Sequence, residues 1–509
     1  MNAETTQLSA LDAAFLFAET PECPMHVATL AIVKPSEEAA GTFYDDVRAL
    51  FEERVLRVPS LLRKLVNAPY EIDRPSWISD VHFDADYHVK HVVASELGNR
   101  AWLERTVALL HSQRLDRSRP LWQVHVFTGL SDGEAAIYMK MHHALVDGGA
   151  GVALAQILYD GSPVPAAPAQ QPEPVAIARQ SIAGDSKETV DAAIAKLSRA
   201  PFLSTQDLRS FTLPRTGRSD VQSVLVDAAI SAAEWNVRLA AIVPDAVTAL
   251  FDSSLLALRP DVQAVQASLQ APSTPLNVTI SSERTLALVT LSLDRVKVVA
   301  KKAGGKVNDV VLALVSGMLR RFLGDRGELP TKTLTGYVPI SLRQSGDERL
   351  KNQTYGMTVP LSTDIAEPRE RLRRIVRQAG VAKELANPFK GLIPQLMDAP
   401  TFGSPMILQM WTAYAGRAGL ADTATPQSNL VVSNVMLSNR RLFIAGAPIE
   451  HVFPLSIVTH GQALNVTVQG YGDVLDFGIL AAASVVSDAD VLKRDLLSAF
   501  DELELAFSQ

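Results

Sequence analysis

The segment 141–149 (MHHALVDGG) holds the residues of this chain that are best suited to chemistry. An apolar run predicts a strand over 135–143, and side chains alternate along a strand. His143 therefore ends the more apolar face, together with Met141, whereas His142 ends the opposite face. An imidazole at the mouth of an apolar cavity, with an ordinary pKa of about 6.5, can accept a proton at neutral pH. The pattern predicts that His143 is a general base.

The residues after the histidine pair are suited to support such a base. Asp147 follows through a short turn, where its carboxylate can hold the loop by accepting backbone N–H groups or by pairing with an arginine. Gly148 and Gly149 allow close approach of the backbone, so their N–H groups can face a developing oxyanion. A bare histidine pair is more often structural than catalytic, but the aspartate, the glycines and the strand-end position favour catalysis.

A metal site is the competing chemical interpretation of this segment. Imidazole and carboxylate are common metal ligands. Neighbouring strand residues point to opposite faces, however, so they seldom bind one ion. We predict no metal.

The motif HHALVDGG resembles the HHxxxDG motif of the coenzyme A-dependent acyltransferase superfamily, which includes peptide-condensation domains. From Leu8 to about Ala483, further blocks resemble, in order, those of the bacterial bifunctional wax ester synthase and diacylglycerol acyltransferase family. These blocks are 11–15 (LDAAF), 24–27 (PMHV), 120–122 (PLW), 308–309 (ND), 338–343 (VPISLR) and 433–435 (SNV). Many relatives continue the last block with Pro and Gly, whereas this chain has Met436, Leu437 and Ser438.

The resemblance implies an α/β fold of two chloramphenicol-acetyltransferase-like domains, each a mixed sheet flanked by helices, with an active-site tunnel between them. His143 would take the proton of an alcohol that attacks a fatty acyl-coenzyme A thioester, and His142 would be structural. The products would be triacylglycerol, wax ester or both, and acyl-coenzyme A would be a co-substrate, with no permanently bound cofactor. Two alternatives stay open: an acyltransferase that uses a carrier-bound donor or another hydroxyl acceptor, and an inactive lipid-binding protein.

Four further residues are candidates for supporting roles. By analogy with the superfamily, Arg343 pairs with Asp147. Asn308 lies near the active site in the family, although capping of the following helix is its favoured structural role. Asn434 is unusual in an apolar strand, which indicates either a bulge or an amide that faces a ligand. Trp122 is as well explained by a core anchor as by a substrate contact.

Two α/β halves position these residues. Strands and helices alternate in both, and the five prolines between 161 and 174 predict a linker. We therefore predict an N-terminal domain over 1–160, a linker with connecting helices over 161–275, and a C-terminal domain over 276–509. The predicted strands are 25–33, 122–130, 135–143, 286–293, 333–339, 429–437 and 463–469, and the predicted helices are 43–58, 103–110, 152–159, 308–323 and 367–385.

The composition limits the classes of molecule that this protein is expected to bind. With 55 acidic and 48 basic residues the net charge is -7, which argues against nucleic acid. The single cysteine, Cys23, cannot form an intrachain disulfide, and no signal-peptide pattern opens the chain. The longest apolar stretches seen in the sequence are shorter than a membrane span. We expect a cytoplasmic protein that meets its lipid substrates directly, with peripheral contact to the inner membrane or to lipid inclusions.

The other polar groups that could react are predicted to be structural. Cys23 lies outside any recognisable catalytic motif, and nothing in the chain resembles the nucleophile elbow of esterases. The same prediction applies to His26, His125, His451 and His460. Residues that hold the coenzyme A nucleotide are not recognisable.

Overall fold

The computed structural model describes most of the chain. The described residues are 6–67, 73–80, 83–94, 98–146, 148–164, 186–200, 203–209, 212–214, 221–341, 354–392, 414, 416 and 418–508.

Within these ranges the chain alternates between strands and helices. The strands are β1 (Thr6–Gln7), β2 (His26–Val33), β3 (Arg63–Val66), β4 (Ser76–Ser79), β5 (Val89–Val93), β6 (Trp122–Thr128), β7 (Ala135–His142), β8 (Arg284–Ser292), β9 (Thr335–Ser341), β10 (Thr354–Pro360), β11 (Leu430–Ser438), β12 (Phe443–Ile444), β13 (Ala447–Leu455), β14 (Leu464–Tyr471) and β15 (Val474–Ala482). The helices are α1 (Ala10–Ala18), α2 (Phe43–Val55), α3 (Ala85–His88), α4 (Arg100–Ser112), α5 (Gly148–Leu158), α6 (Ser186–Leu197), α7 (Thr205–Arg209), α8 (Val221–Ala257), α9 (Pro260–Ser268), α10 (Leu293–Ala303), α11 (Val307–Gly324), α12 (Pro368–Ala386) and α13 (Asp490–Ser508).

The first large sheet carries the histidine pair. Its strand order is β12-β13-β2-β7-β6-β5, and its neighbours are antiparallel except for β5 and β6. Helices α1, α2 and α5 pack on one face of this sheet, whereas α4 packs on the other face and against β8. The motif strand β7 is therefore central and covered on both sides.

The second large sheet has the order β10-β9-β11-β14-β15-β8. It is mixed, because β11 runs parallel to both β9 and β14 while the other pairs are antiparallel. Helices α10 to α13 cover one face, toward which β14 points Leu464, Val466 and Val468. The two mixed sheets with flanking helices confirm the predicted fold class.

One strand pairing joins the predicted N-terminal and C-terminal domains. β13 comes from the C-terminal third of the chain but pairs antiparallel with β2, and Leu455 lies opposite Ala28. The N-terminal sheet is thus completed by residues far away in the sequence. Local periodicity does not reveal such a partner, and β12 and β13 were absent from the prediction. The boundaries at 160 and 275 stay predictions.

The segment between the two halves contains the long helix α8. One face of α8 packs Ile242 and Ala249 against Leu392, next to the short 3-10 turn Asn387–Phe389. Among the described residues, Leu225–Ala257 is the stretch long and apolar enough to cross a membrane by length and composition alone. This stretch is longer than the uninterrupted apolar runs considered in the sequence analysis, because a few polar residues interrupt it.

Candidate active site

His143 lies at the end of β7, in the first position of the following turn. Its backbone N–H donates a hydrogen bond to the carbonyl oxygen of Met25 at 2.8 Å. Its ring stacks on the ring of Phe15 from α1, with centroids 4.0 Å apart and an interplanar angle of 14°. A neighbouring strand and a helix thus fix both the backbone and the ring of His143.

The imidazole of His143 borders a cavity of about 740 Å³ that lies between the two large sheets. The first sheet and its helices contribute mainly apolar lining, including Phe15, Met139, Met141, Val146 and Leu154. Met139, Met141 and His143 therefore share one face, which confirms the alternation predicted from the sequence. A cavity of this size and character is suited to a ligand with long hydrocarbon chains.

His142 occupies the opposite environment. Its side chain is buried, and its Nδ1 accepts a hydrogen bond from the N–H of Ala144 at 3.0 Å. Burial lowers the pKa of His142 to about 3, so the ring is neutral at pH 7. In that state the ring proton is on Nε2, which lies 3.6 Å from Oε1 of Glu19. His142 ties the turn that carries His143 to the interior of the sheet.

Glu19 is a buried carboxylate beneath the histidine pair, and the sequence analysis missed it. It accepts hydrogen bonds from Arg117 Nη2 at 2.7 Å and Nε at 3.1 Å, and its Oε1 lies 3.4 Å from Nε2 of His26. Burial alone would raise the pKa of Glu19, but the hydrogen bond to His26 and the charge of Arg117 help to outweigh it and lower the pKa to about 2. Burial also lowers the pKa of His26, so Arg117 supplies the counter-charge at neutral pH.

Two of the supporting candidates lie away from the cavity. Trp122 is fully buried in the core, where its Nε1–H donates to the carbonyl oxygen of Leu61 at 2.8 Å. Its role as a substrate contact is therefore corrected to that of a core anchor. Asn308 lies in the first turn of α11, outside the cavity lining, and the capping is done by Asp309, whose Oδ2 accepts from the N–H of Lys306 at 2.7 Å.

Asn434 does reach the cavity. It lies on β11, which has a register shift between Met436 and Ser438, and it lines the cavity together with Ser433 and Val435. The register partner of Asn434 on β14 is Val468, which faces the helices, so strand geometry points the Asn434 side chain away from the face that carries Gln469. The bulge expected near Asn434 is present three residues later, whereas an amide that faces a ligand stays a prediction.

The last three predicted site residues are Asp147, Arg343 and Gly148. Asp147 and Arg343 lie outside the described residues, so their pairing stays a prediction. Gly148 begins α5, and the N–H groups of a helix N-terminus carry partial positive charge. The expected role of Gly148 toward an oxyanion is compatible with this position and stays a prediction.

The other histidines and the cysteine lie outside the cavity lining. His26 and His125 are buried on the first sheet, and His460 accepts from the N–H of Ile280 at 3.1 Å. His451 lies 3.1 Å from Asp476, and burial raises the pKa of the Cys23 thiol. In the described part of the chain, no group of three or more His, Cys, Asp or Glu side chains is arranged to hold a metal ion.

Comparison with protein families identifies the family of this chain. The sequence model of the wax ester synthase/diacylglycerol acyltransferase catalytic domain matches residues 8–311, and that of the C-terminal domain of the same family matches residues 350–504. The chain belongs to the wax ester synthase/diacylglycerol acyltransferase family. It is an acyltransferase of that family.

Individual relatives agree with the family assignment. A Mycobacterium tuberculosis (strain H37Rv) protein named "putative diacylglycerol O-acyltransferase" is 31% identical over 500 residues, which cover 98% of this chain and 99% of that protein. A second protein of the same strain, named "probable diacylglycerol O-acyltransferase tgs2", is 30% identical over 97% of this chain and 98% of its own length. The similarity of family members thus extends along nearly the whole chain.

Solved structures share the fold. The wax ester synthase/diacylglycerol acyltransferase of Marinobacter aquaeolei VT8 matches with a TM-score of 0.64 at 22% identity, over 99% of this chain and 100% of that one. The first condensation domain of the calcium-dependent antibiotic synthetase matches with a TM-score of 0.53 at 14% identity, over 99% and 97% of the two chains. At these identities the matches establish the architecture of the two sheets.

Proposed function

We propose that this acyltransferase moves a long-chain acyl group from acyl-coenzyme A to the hydroxyl group of diacylglycerol or of a fatty alcohol, with His143 as general base. The observation that carries the proposal is the position of His143 on a large, mainly apolar cavity between the two sheets. An apolar cavity stabilises long chains because each buried methylene contributes about 0.8 kcal/mol. The products are triacylglycerol or wax ester.

The reaction needs one proton acceptor and no covalent acyl-enzyme. The neutral imidazole of His143 takes the hydroxyl proton while the acceptor oxygen bonds to the thioester carbonyl carbon. When the resulting tetrahedral intermediate collapses, the carbon–sulfur bond breaks and the protonated imidazole returns its proton to the coenzyme A thiolate. The N–H of Gly148 at the start of α5 is our candidate for stabilising the oxyanion.

Release of free thiol from palmitoyl-coenzyme A by the purified chain, with dipalmitoylglycerol or hexadecanol as acceptor, tests this function. We expect release that depends on the acceptor and an equal amount of ester product. Release without acceptor would indicate a thioesterase instead. No release with coenzyme A thioesters, but transfer from a carrier-bound acyl group, would support the alternative donor, and tight lipid binding without any transfer would support the inactive lipid-binding protein.

We also propose that α8 brings the enzyme to the surface of a membrane or lipid inclusion. The C-terminal half of α8 exposes large apolar side chains at helical spacing, namely Val243, Val247, Leu250, Phe251 and Leu255. Leu258, directly after the helix, is exposed as well. α8 also contains Asp245, which pairs with Arg209 at 2.5 Å, and α8 packs on other helices of the segment. These contacts favour an interfacial position over a span.

Flotation of the protein with anionic phospholipid vesicles tests this second proposal. The double variant Val247→Glu/Phe251→Glu is expected to lose vesicle binding, because it places two charges in the apolar stripe. The matched control Gln263→Glu/Gln266→Glu adds the same charge to the exposed side of α9 and is expected to bind like the wild type. Equal binding by the stripe variant would contradict the assignment of α8.

A further inference from the structure

The cavity has two chemically different walls. The first sheet offers apolar side chains around His143, whereas β14 of the second sheet turns three polar residues toward the same space, namely Asn465, Thr467 and Gln469. These residues alternate with apolar residues that face the helices, so their orientation follows from strand geometry. Together they form a polar row on the wall of an otherwise apolar cavity. Burying an amide destabilises the folded protein unless the amide is hydrogen-bonded, so each member of this row is expected to have a hydrogen-bond partner.

Most of this row is satisfied within the protein. Asn465 Nδ2 donates to the carbonyl oxygen of Ile457 at 2.9 Å, and Thr467 Oγ1 donates to Asn465 Oδ1 at 2.7 Å. Gln469 differs, because its side-chain amide makes no hydrogen bond within the described part of the chain although the residue is only 5% exposed. The row therefore contains one buried amide whose donors and acceptor are available to a ligand.

The polar neighbour opposite Gln469 does not use this amide. Asp476 on β15 pairs with Gln469 in register, but its carboxylate accepts from Thr290 Oγ1 at 2.6 Å and from the N–H of Val452 at 2.8 Å. Nδ1 of His451 lies 3.1 Å from the same carboxylate. The carboxylate is thus occupied by other groups.

We infer that the amide of Gln469 forms a subsite that donates a hydrogen bond to an ester carbonyl of an acylglycerol acceptor. This inference rests on the proposed function. A diacylglycerol brings two ester carbonyls besides its reacting hydroxyl, whereas a fatty alcohol has only the hydroxyl that His143 needs. An alcohol bound with its hydrocarbon chain along this wall leaves the amide unpaired, and sites built to hydrogen-bond a ligand discriminate against ligands that lack the partner. The subsite therefore favours diacylglycerol.

The test compares two acceptors in the full-length chain with palmitoyl-coenzyme A as donor. The variant Gln469→Met removes the amide and keeps the length of the side chain. We expect kcat/KM for dipalmitoylglycerol to fall about tenfold, the size of one buried hydrogen bond, while that for hexadecanol changes by less than about twofold. Gln469→Leu removes the same amide, is expected to shift the ratio in the same direction, and serves if the first variant does not fold.

A matched control and three outcomes make the test decisive. Gln266→Met makes the same substitution at an exposed position of α9 outside the cavity lining, and it should leave the ratio of the two acceptors unchanged. An unchanged ratio in Gln469→Met or Gln469→Leu, in an active enzyme, would overturn the subsite alone. Equal loss with both acceptors and a raised KM for palmitoyl-coenzyme A would assign the amide to the donor and overturn it as well. A wild-type chain inactive with both acceptors would overturn the proposed function, and the subsite with it.

Discussion

The two sheets that enclose the cavity differ in what they offer a substrate. The first sheet supplies the imidazole of His143 at the edge of an apolar wall, and the second supplies the amide of Gln469. The two walls of the cavity are therefore suited to two different tasks, proton transfer and acceptor recognition. A base needs a defined ring position, whereas selection among acceptors needs hydrogen-bonding groups away from the reacting hydroxyl. We therefore assign proton transfer to the first sheet and acceptor recognition to the second.

The largest effect is expected from loss of the base. His143→Ala should lower kcat with either acceptor by about 10²- to 10⁴-fold, or about 3 to 5 kcal/mol of barrier, because general-base catalysis is lost. Acyl transfer from palmitoyl-coenzyme A measures the effect. His91→Ala is the matched control, since His91 is exposed on β5 and outside the cavity. A folded His143→Ala variant with wild-type kcat would refute the assignment.

The next effect concerns the buried carboxylate beneath the histidine pair. Glu19→Gln should lower the free energy of unfolding at pH 7 by about 2 to 3 kcal/mol, because the buried carboxylate loses the charge that pairs with the partly exposed guanidinium of Arg117. The pKa of Glu19 is lowered to about 2 from 4.5, so its contribution is complete above about pH 4.5 and is lost as the pH falls toward 2. Thermal unfolding from pH 7 to pH 3 should show the two proteins converging in acid.

The control for Glu19 is a surface ion pair. Glu52 lies 3.4 Å from Arg48 and is largely exposed, so Glu52→Gln should change stability by less than about 0.5 kcal/mol. A constant difference between wild type and Glu19→Gln at all pH values would show that the charge of Glu19 is not what stabilises this region.

A smaller effect is expected on the wall formed by the second sheet. A Cβ at Gly356 would lie 1.9 Å from Cζ of Tyr337, a ring that lines the cavity, so Gly356→Ala must displace that ring. We expect a loss of about 1 to 2 kcal/mol in stability and a raised KM for the lipid acceptor. Gly336→Ala is the control, because its Cβ would lie 3.4 Å from Leu361. Similar behaviour of the two variants would show that the position of Tyr337 is unimportant.

The smallest effect concerns the ring that orients the base. Phe15→Leu removes the stacked partner of His143, and such aromatic contacts contribute about 0.5 to 1.5 kcal/mol. We expect kcat to fall about two- to tenfold, with little change in the unfolding midpoint. Phe17→Leu, in the same helix but in the core, should lower the midpoint and leave kcat unchanged. The reverse pattern would show that Phe15 acts through stability alone.

The parts of the structure that depend on local pattern were predictable. Alternation along β7 separated His143 from His142 correctly, and apolar spacing placed β8, β9, β11, β14, α11 and α12 within a few residues of their observed bounds. These predictions succeeded because the period of the side chains is set by the backbone of each element.

The remaining parts depend on contacts between distant segments. The pairing of β13 with β2, the ion pair of Glu19 with Arg117 and the availability of the Gln469 amide all require the complete fold. Hydrogen-bond satisfaction is a property of neighbours in space, so Gln469 looks in the sequence like any polar residue of a strand. The resemblance to a family supplied the catalytic motif but gave no signal for this residue.

A structure of the full chain with dipalmitoylglycerol and a thioether analogue of palmitoyl-coenzyme A, which cannot transfer its acyl group, would test the division between the two sheets most directly. We predict the acceptor hydroxyl within about 2.6 to 3.2 Å of an imidazole nitrogen of His143, and an ester carbonyl of the same molecule in hydrogen-bond contact with Gln469. A hydroxyl bound away from His143, or an acceptor that contacts only the apolar wall of the first sheet, would contradict this account.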